Sequence, residues 1–174
     1  MLLFEVKINM CIKDPEYKLI VKDILENKEF LKLKKIEHHG TTRYIHSTKV
    51  SYISYKIAKF LRLDYEKTAR GGLMHDFFFS PEERCMKERS ISFFVHPPKA
   101  LALAKSQFEL SKKEEDMIVS HMFPSYPALP KYLETWIISF VDKSVAIQEF
   151  SVKFKFKLKY AYNLFLIFAI GLIK

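Results

Sequence analysis

The sequence has few of the residues that define disulfide-linked or fibrous proteins. It contains two cysteines, four glycines and seven prolines among 174 residues. Cys11 and Cys85 cannot form a disulfide framework, and they do not have the paired spacing of a zinc finger. The low glycine and proline content, together with 49% hydrophobic residues, excludes a fibrous or a disordered chain. We therefore expect a globular protein of the reducing cytoplasm.

The N-terminal residues do not indicate export. Glu5, Lys7 and Lys13 interrupt the apolar core that a secretory signal requires. A chain of this length fits one domain of ordinary size. We predict that domain at residues 1–150, followed by a tail at 151–174.

Acidic residues are absent from residues 150–174, which contain five lysines. The formal net charge is +9 at pH 7, so much of the excess lies in this tail and the main body is only mildly basic. Positive charge favours anionic partners such as phosphorylated metabolites, nucleic acid or an acidic membrane surface. Basic residues confined to the tail do not form the extended positive surface that binding to a nucleic-acid groove requires. Nucleic acid is therefore the least favoured of the three partners.

Helical periodicity runs through most of the chain and predicts an all-α bundle. The six predicted helices are Pro15 to about Leu33, Ser47 to Leu61, Tyr65 to about Phe78, Pro97 to about Lys105, a helix opened by the Ser111–Glu114 capping box and ending near Met122, and Lys131 to Phe150. Prolines are tolerated in a first turn, so His96 is expected at a helix start.

Two of these helices have apolar stripes that predict their buried faces. The stripe of the second helix comprises Val50, Ile53, Ile57, Phe60 and Leu61. That of the last comprises Leu133, Ile137, Phe140, Val141 and Val145.

Residues of metal-ligand type lie at the ends or on the inner faces of successive predicted helices. They are His46, His75, Asp76, His96, His121 and Asp142. Any one histidine alone is more often a cap, a surface group or a satisfied core residue. Adjacent His75 and Asp76 differ by about 100° around a helix, so both can face one point at its end. A carboxylate can bridge two cations whereas neutral imidazole donates one lone pair, so Asp76 is the natural bridge.

The order His, His-Asp, Asp resembles the HD superfamily of metal-dependent phosphohydrolases. The segments that carry the resemblance are RYIHSTKVSYISYKIAKFLRLD, ARGGLMHD and SFVDKS, within residues 37–149. His96, in VHPPKAL, and His121, in IVSHMFP, occupy places where two-metal members have ligands for a second ion. The resemblance implies one ion held by His46, His75, Asp76 and Asp142, and a second held by Asp76, His96 and His121.

In such a site the cations polarise a phosphoryl oxygen and lower the pKa of a bound water. Imidazole and carboxylate ligands without thiolate suit two divalent ions of iron, manganese, cobalt, nickel or zinc. The doublet is followed by Phe77-Phe78-Phe79, which disfavours a cyclic-dinucleotide phosphodiesterase. The arrangement is more similar to small stand-alone bacterial HD proteins, including the class that splits dinucleoside tetraphosphates. We therefore expect a small phosphorylated substrate, a nucleotide or another phosphate ester.

Cationic side chains near the ligands are candidates for stabilising phosphoryl charge. We predict Arg43, Arg70 and Lys99 as substrate contacts, with salt bridges or solvation as the alternative for Arg70 and Lys99. Asp76 and Lys143 are the predicted catalytic residues. Lys143 lies about 100° around its helix from Asp142, so it should act from behind the ligands.

Two other functions are consistent with this sequence. Inositol oxygenase-like members of the superfamily use the same ligand order in a di-iron oxygenase. Some signalling HD domains have lost their metals and only bind nucleotides or nucleic acid, although no ligand is missing here.

The tail is basic and then apolar. Residues 150–159 alternate apolar residues with lysine, a strand period, and residues 160–173 are apolar except for Asn163. A helix of those 14 residues would span about 21 Å, short of the roughly 30 Å hydrocarbon core. We expect the tail to pack on the body or on a partner subunit, and peripheral contact with a membrane surface is the second interpretation.

Overall fold

Helices form nearly all of the regular structure. The computed structural model describes residues 13–38, 41–79 and 86–171. The elements in these residues are α1 (Pro15–Ile20), α2 (Lys22–Leu25), α3 (Lys28–Leu31), a 3-10 helix (Lys32–Lys35), β1 (Glu37–His38), β2 (Thr41–Thr42), α4 (Arg43–Phe60), α5 (Tyr65–Met74), α6 (Met86–Gln107), α7 (Lys112–Ser120) and α8 (Leu133–Gly171). The two short strands pair antiparallel, with Glu37 opposite Thr42. The predicted all-α class is confirmed.

Helices α4 and α5 approach closely at the centre of the body, and Gly72 permits this approach. A Cβ atom at Gly72 would lie 2.7 Å from the Cα of Ser51. The Ser51 hydroxyl donates to the Ala69 carbonyl over 2.5 Å and accepts from the Tyr17 hydroxyl over 2.7 Å. These contacts hold the C-terminal end of α5, where His75 and Asp76 follow, against α4.

Helix starts were predicted best where a capping side chain is present. Asp64 accepts from the backbone N–H of Lys67 and caps α5. Ser111 and Glu114 form a capping box at α7, as predicted. The predicted first helix is wrong, because it is divided into three. The Asn27 side chain accepts from the N–H groups of Glu29 and Phe30 and starts a new helix there.

The predicted apolar stripe of the second helix is wrong for most of its length. Val50 is buried, but Ile53, Ile57, Phe60 and Leu61 are exposed. The buried face of α4 carries many polar side chains instead: Arg43, His46, Ser47, Thr48, Lys49, Ser51 and Ser54. Hydrophobic periodicity fails here because part of this face lines a polar centre, while Val50, Tyr55 and Ala58 supply its apolar contacts to the core.

The predicted ends of two further helices also need correction. Helix α5 ends at Met74, with His75 as its C-cap, rather than at Phe78. The turn predicted at Ser80-Pro81 lies outside the described residues. Helix α6 begins at Met86 and contains Pro97 and Pro98, so His96 lies within a helix and not at its start. Proline removes a helical N–H group, but His96 and Pro97 are buried, and packing of this kind overrides local propensity.

Helix α8 begins near the predicted residue and continues to Gly171. The strand that the alternation of residues 150–159 indicates is therefore wrong, because these residues are helical. A lone strand has no partner for its backbone groups, whereas an existing helix extends at little cost. Val141 and Val145 are buried as predicted and Ile137 is partly buried against them, but Leu133 and Phe140 are exposed. The domain boundary at residue 150, which α8 crosses without a break, stays a prediction.

No helix in the described part of the chain is both long enough and apolar enough to cross a membrane.

Candidate metal centre

Five helices, or the residues directly after them, bring the candidate ligands together. His46 lies in α4, His75 and Asp76 follow α5, His96 lies in α6, His121 follows α7, and Asp142 lies in α8. All six are buried. They form three overlapping groups whose ligand atoms lie within 4.8 Å of one another: His46, His75 and Asp76; His75, His121 and Asp142; and Asp76, His96 and His121.

One side of the cluster, which we call the His46 side, centres on Asp142. Its Oδ1 atom lies 2.9 Å from the Nε2 atom of His46 and 3.6 Å from that of His75. The Nε2 atom of His75 is also 4.0 Å from Oδ2 of Asp76. A ring nitrogen of each histidine and both carboxylates thus converge on one small volume.

The other side, which we call the His96 side, comprises His96 and His121. Their Nε2 atoms are 3.2 Å apart, and they lie 3.4 and 3.8 Å from Oδ1 of Asp76. Asp76 therefore presents one oxygen towards His75 and the other towards His96 and His121. This placement is the one that a bridging carboxylate requires.

Backbone carbonyls fix the orientation of two of the imidazole rings. The Nδ1 atoms of His75 and His121 donate to the carbonyls of Gly72 and Ile118, each over 2.8 Å. In neutral imidazole the Nε2 atom then holds the lone pair. The Nε2 atom of His75 is buried and has no hydrogen-bond partner. An orphaned lone pair that faces carboxylates is the arrangement that a cation would satisfy, so these residues fit a divalent metal.

The electrostatics of the centre differ between its sides. Burial opposes charge on Asp142, but its hydrogen bond with His46 and the adjacent imidazole of His75, 3.6 Å away, hold the pKa of this carboxyl well below its usual value. Burial likewise opposes charge on His46, yet its bonds to Asp142 and Glu149 raise its pKa to about 10. Burial and the neighbouring His75 and His96 lower the pKa of His121 to about 3. His121 is therefore neutral at physiological pH, the form that binds a metal, whereas a metal on the His46 side would displace the proton that His46 shares with two carboxylates.

Glu149 holds the far side of the His46 ring. Its Oε2 atom is 3.0 Å from Nδ1 of His46, and its Oε1 atom accepts from Nζ of Lys49 over 2.7 Å. Both Glu149 and Lys49 are buried. A carboxylate behind a ligating histidine fixes the orientation of the ring and increases its basicity. Sequence reasoning missed both residues.

Arg43 and Phe78 support the other side. The guanidinium carbon of Arg43 lies 3.8 Å from the centre of the Phe78 ring, and its Nη1 atom donates to the Phe78 carbonyl over 2.8 Å. The Phe78 ring stacks on His96, with ring centres 5.2 Å apart. The Nε atom of Arg43 is 4.0 Å from Oδ2 of Asp76. Arg43 is almost fully buried, so the structure gives it a role in holding Asp76, and contact with substrate stays a prediction.

The remaining predicted residues lie at different distances from the centre. Lys143 donates to the carbonyl of His121 over 3.0 Å and to the Ser139 hydroxyl over 2.7 Å, and burial lowers its pKa. Arg70 is bound by acids, with Nη1 2.7 Å from Asp23 and Nε 3.1 Å from Glu114, as in a salt-bridge role. Lys99 is exposed one turn after His96.

Comparison with known proteins adds one finding. The family model of the HD domain matches residues 43–147, which contain all six candidate ligands. Neither the search of curated proteins nor that of solved structures found a match. The family match covers more than half of the chain and agrees with the all-α fold and with the clustered histidines and aspartates. The chain therefore belongs to the HD domain family.

Proposed function

We propose that this protein is a metal-dependent phosphohydrolase that hydrolyses a nucleotide or another small phosphate ester. The observation that carries the proposal is the convergence of four histidines and two aspartates on one buried point, with Asp76 between two groups of imidazoles. The family supports it, since metal-dependent phosphohydrolases are the activity that the HD order implies. Divalent metal in this site would polarise a phosphoryl oxygen and lower the pKa of a bound water.

The six side chains divide into two ligand sets in this proposal. His46, His75, Asp76 and Asp142 would hold one ion, and Asp76, His96 and His121 would hold the other. Asp76 is the only shared residue of the two sets, because its oxygens face opposite groups. Two adjacent cations are suited to binding the oxygens of a phosphate group in a displacement reaction.

Two lysines act at different points. Lys143 is a positioning residue, since it binds the carbonyl of the ligand His121 and is partly buried. Lys99 is the candidate for the substrate phosphate, since residues three apart in a helix share a face and its side chain is exposed. Its charge would offset the charge of a phosphate that approaches the His96 side.

Phosphate release from a panel of nucleotides and simple phosphate esters tests this function. The protein is assayed with each of iron, manganese, cobalt, nickel and zinc, beside the Asp76→Ala variant and the surface control Glu115→Gln. We expect release by the parent and the control and none by Asp76→Ala. A protein that binds metal, releases no phosphate and consumes oxygen with reduced iron would contradict the proposal and support the oxygenase.

A further inference from the structure

An apolar stripe runs along the outer side of α8. Leu133, Phe140, Ile147 and Phe154 follow one another at intervals of seven residues, and each is between 57% and 67% exposed. Seven residues fall about 20° short of two full helical turns, so these side chains lie along one side of the helix. The stripe is about 32 Å long at 1.5 Å per residue.

The opposite side of α8 attaches the helix to the body. Ile138, Val141 and Val145 are buried there in a hydrophobic cluster. Asp142 and Glu149 are buried on the same side, at the metal centre. A flat surface can therefore contact the whole stripe while the body remains on the far side of the helix.

The exposed charges that flank the lower end of the stripe are positive. Lys153, Lys155 and Lys159 are exposed around Phe154, and Lys153 lies 3.8 Å from the exposed Glu37. Residues 150–174 contain five lysines and no acid. The three acids of α8, Glu134, Asp142 and Glu149, are all buried. The outer surface of this helix thus combines phenylalanine with an excess of lysine.

The combination of phenylalanine and lysine favours an anionic lipid surface over a second copy of the chain. A second copy of the chain, paired in parallel, would place these lysines beside the same lysines. An antiparallel pair would place them near the exposed Lys131, which is again a like charge. An anionic lipid surface complements the lysines and accepts the aromatic side chains, as for amphipathic helices that lie in a membrane interface.

We propose that the outer side of α8, from Leu133 through the basic segment 153–159, binds a membrane surface rich in anionic lipid. The lysines bind the headgroups, and Phe150 and Phe154 enter the boundary between headgroups and acyl chains. Residues 160–171 continue the helix, and their sequence is apolar except for Asn163. This inference is independent of the proposed hydrolysis.

Co-sedimentation with vesicles tests the inference. The full chain is mixed with vesicles that contain phosphatidylserine and with vesicles of phosphatidylcholine alone, at low and high salt. We expect binding to the anionic vesicles that weakens as salt rises, since salt screens surface charge. Replacing Lys153, Lys155, Lys157 and Lys159 with glutamine should weaken binding by more than about 100-fold.

A matched pair of phenylalanine variants tests which side of α8 faces the membrane. Phe156 is as exposed as Phe154 but lies about 160° away around the helix. We expect Phe154→Ser to weaken binding about tenfold, since a buried aromatic side chain is lost, and Phe156→Ser to change it far less. Equal binding to both kinds of vesicle, equal effects of the two variants, or a stable dimer that protects the stripe and does not bind vesicles would overturn the proposal.

Discussion

The two sides of the candidate metal centre are held in different ways. On the His46 side, a buried carboxylate and a buried lysine support the ligand: His46 binds Glu149, and Glu149 binds Lys49. On the His96 side, support comes from a ring and from the backbone: His96 stacks on Phe78, and His121 binds the Ile118 carbonyl. The His46 side therefore depends on a network of charges, whereas the His96 side depends on ring stacking and a backbone hydrogen bond.

The largest effect is expected where the two sides meet. Asp76→Ala removes the one carboxylate whose oxygens face both groups of histidines. We expect at least about a 10³-fold loss of phosphate release, since stabilisation of the phosphoryl group fails on both sides. Initial rates at saturating metal measure this. Activity retained within tenfold of the parent would show that Asp76 is not shared.

Single-ligand variants separate the sides. We expect His46→Ala to lose the ion of the His46 side and His96→Ala to lose mainly the other, since each removes a ligand from one set only. Metal titration followed by calorimetry measures the number of sites that remain in each variant. Identical titrations for the two variants would contradict a division into two sides.

Glu149 tests the charge network. Glu149→Ala removes the support of His46 and leaves Lys49 buried without this partner, so we expect metal affinity on the His46 side to fall by about 10- to 100-fold. Glu149→Gln keeps an oxygen that can accept from Nδ1 of His46 and should lose less. Competition with a chelator measures the affinity, and a thermal melt shows whether each variant is folded. An unchanged metal affinity in Glu149→Ala would contradict the dependence of the His46 side on this charge network.

Phe78 tests the His96 side. Phe78→Leu keeps an apolar side chain of similar size but removes the ring that stacks on His96 and Arg43. We expect metal affinity on the His96 side to weaken by about three- to tenfold, the usual value of such a stack. The same chelator competition measures it. An effect confined to the His46 side would contradict the assignment of Phe78.

The smallest effect is expected for Lys99. Lys99→Gln removes an exposed charge one turn after His96, and we expect KM to rise a few-fold with kcat little changed. Lys105→Gln, on the same helix but paired with Glu115 at 2.9 Å, is the matched control. Equal KM values for the two variants would exclude Lys99 from substrate binding.

Much of the centre could be predicted from the sequence, because ligand chemistry restricts the residue types. Histidine and aspartate at the ends or on the inner faces of successive predicted helices, in the order that resembles the HD superfamily, identified the six residues that the structure brings together. Glu149 was missed although a signal was present: it follows Asp142 by seven residues, two turns of one helix. Lys49 likewise follows His46 by one turn, on the same face.

The fold was harder to predict where local rules met tertiary packing. The apolar stripe of α4 lies at the surface because the opposite face of the helix, which carries His46, is turned towards the candidate metal centre. The prolines of α6 lie inside the helix, where the burial of His96 and Pro97 outweighs propensity. The lysine alternation of residues 150–159 suggested a strand, but no partner strand exists among the described residues. Each error arose because a local rule describes one element and not its neighbours.

The metal content per chain tests the central claim most directly. The parent and Asp76→Ala are purified without oxygen or chelator and analysed by elemental mass spectrometry. The account predicts two ions per chain in the parent and almost none in the variant, because Asp76 belongs to both ligand sets. A parent that contains no metal, and gains none when iron, manganese, cobalt, nickel or zinc is supplied, would contradict it.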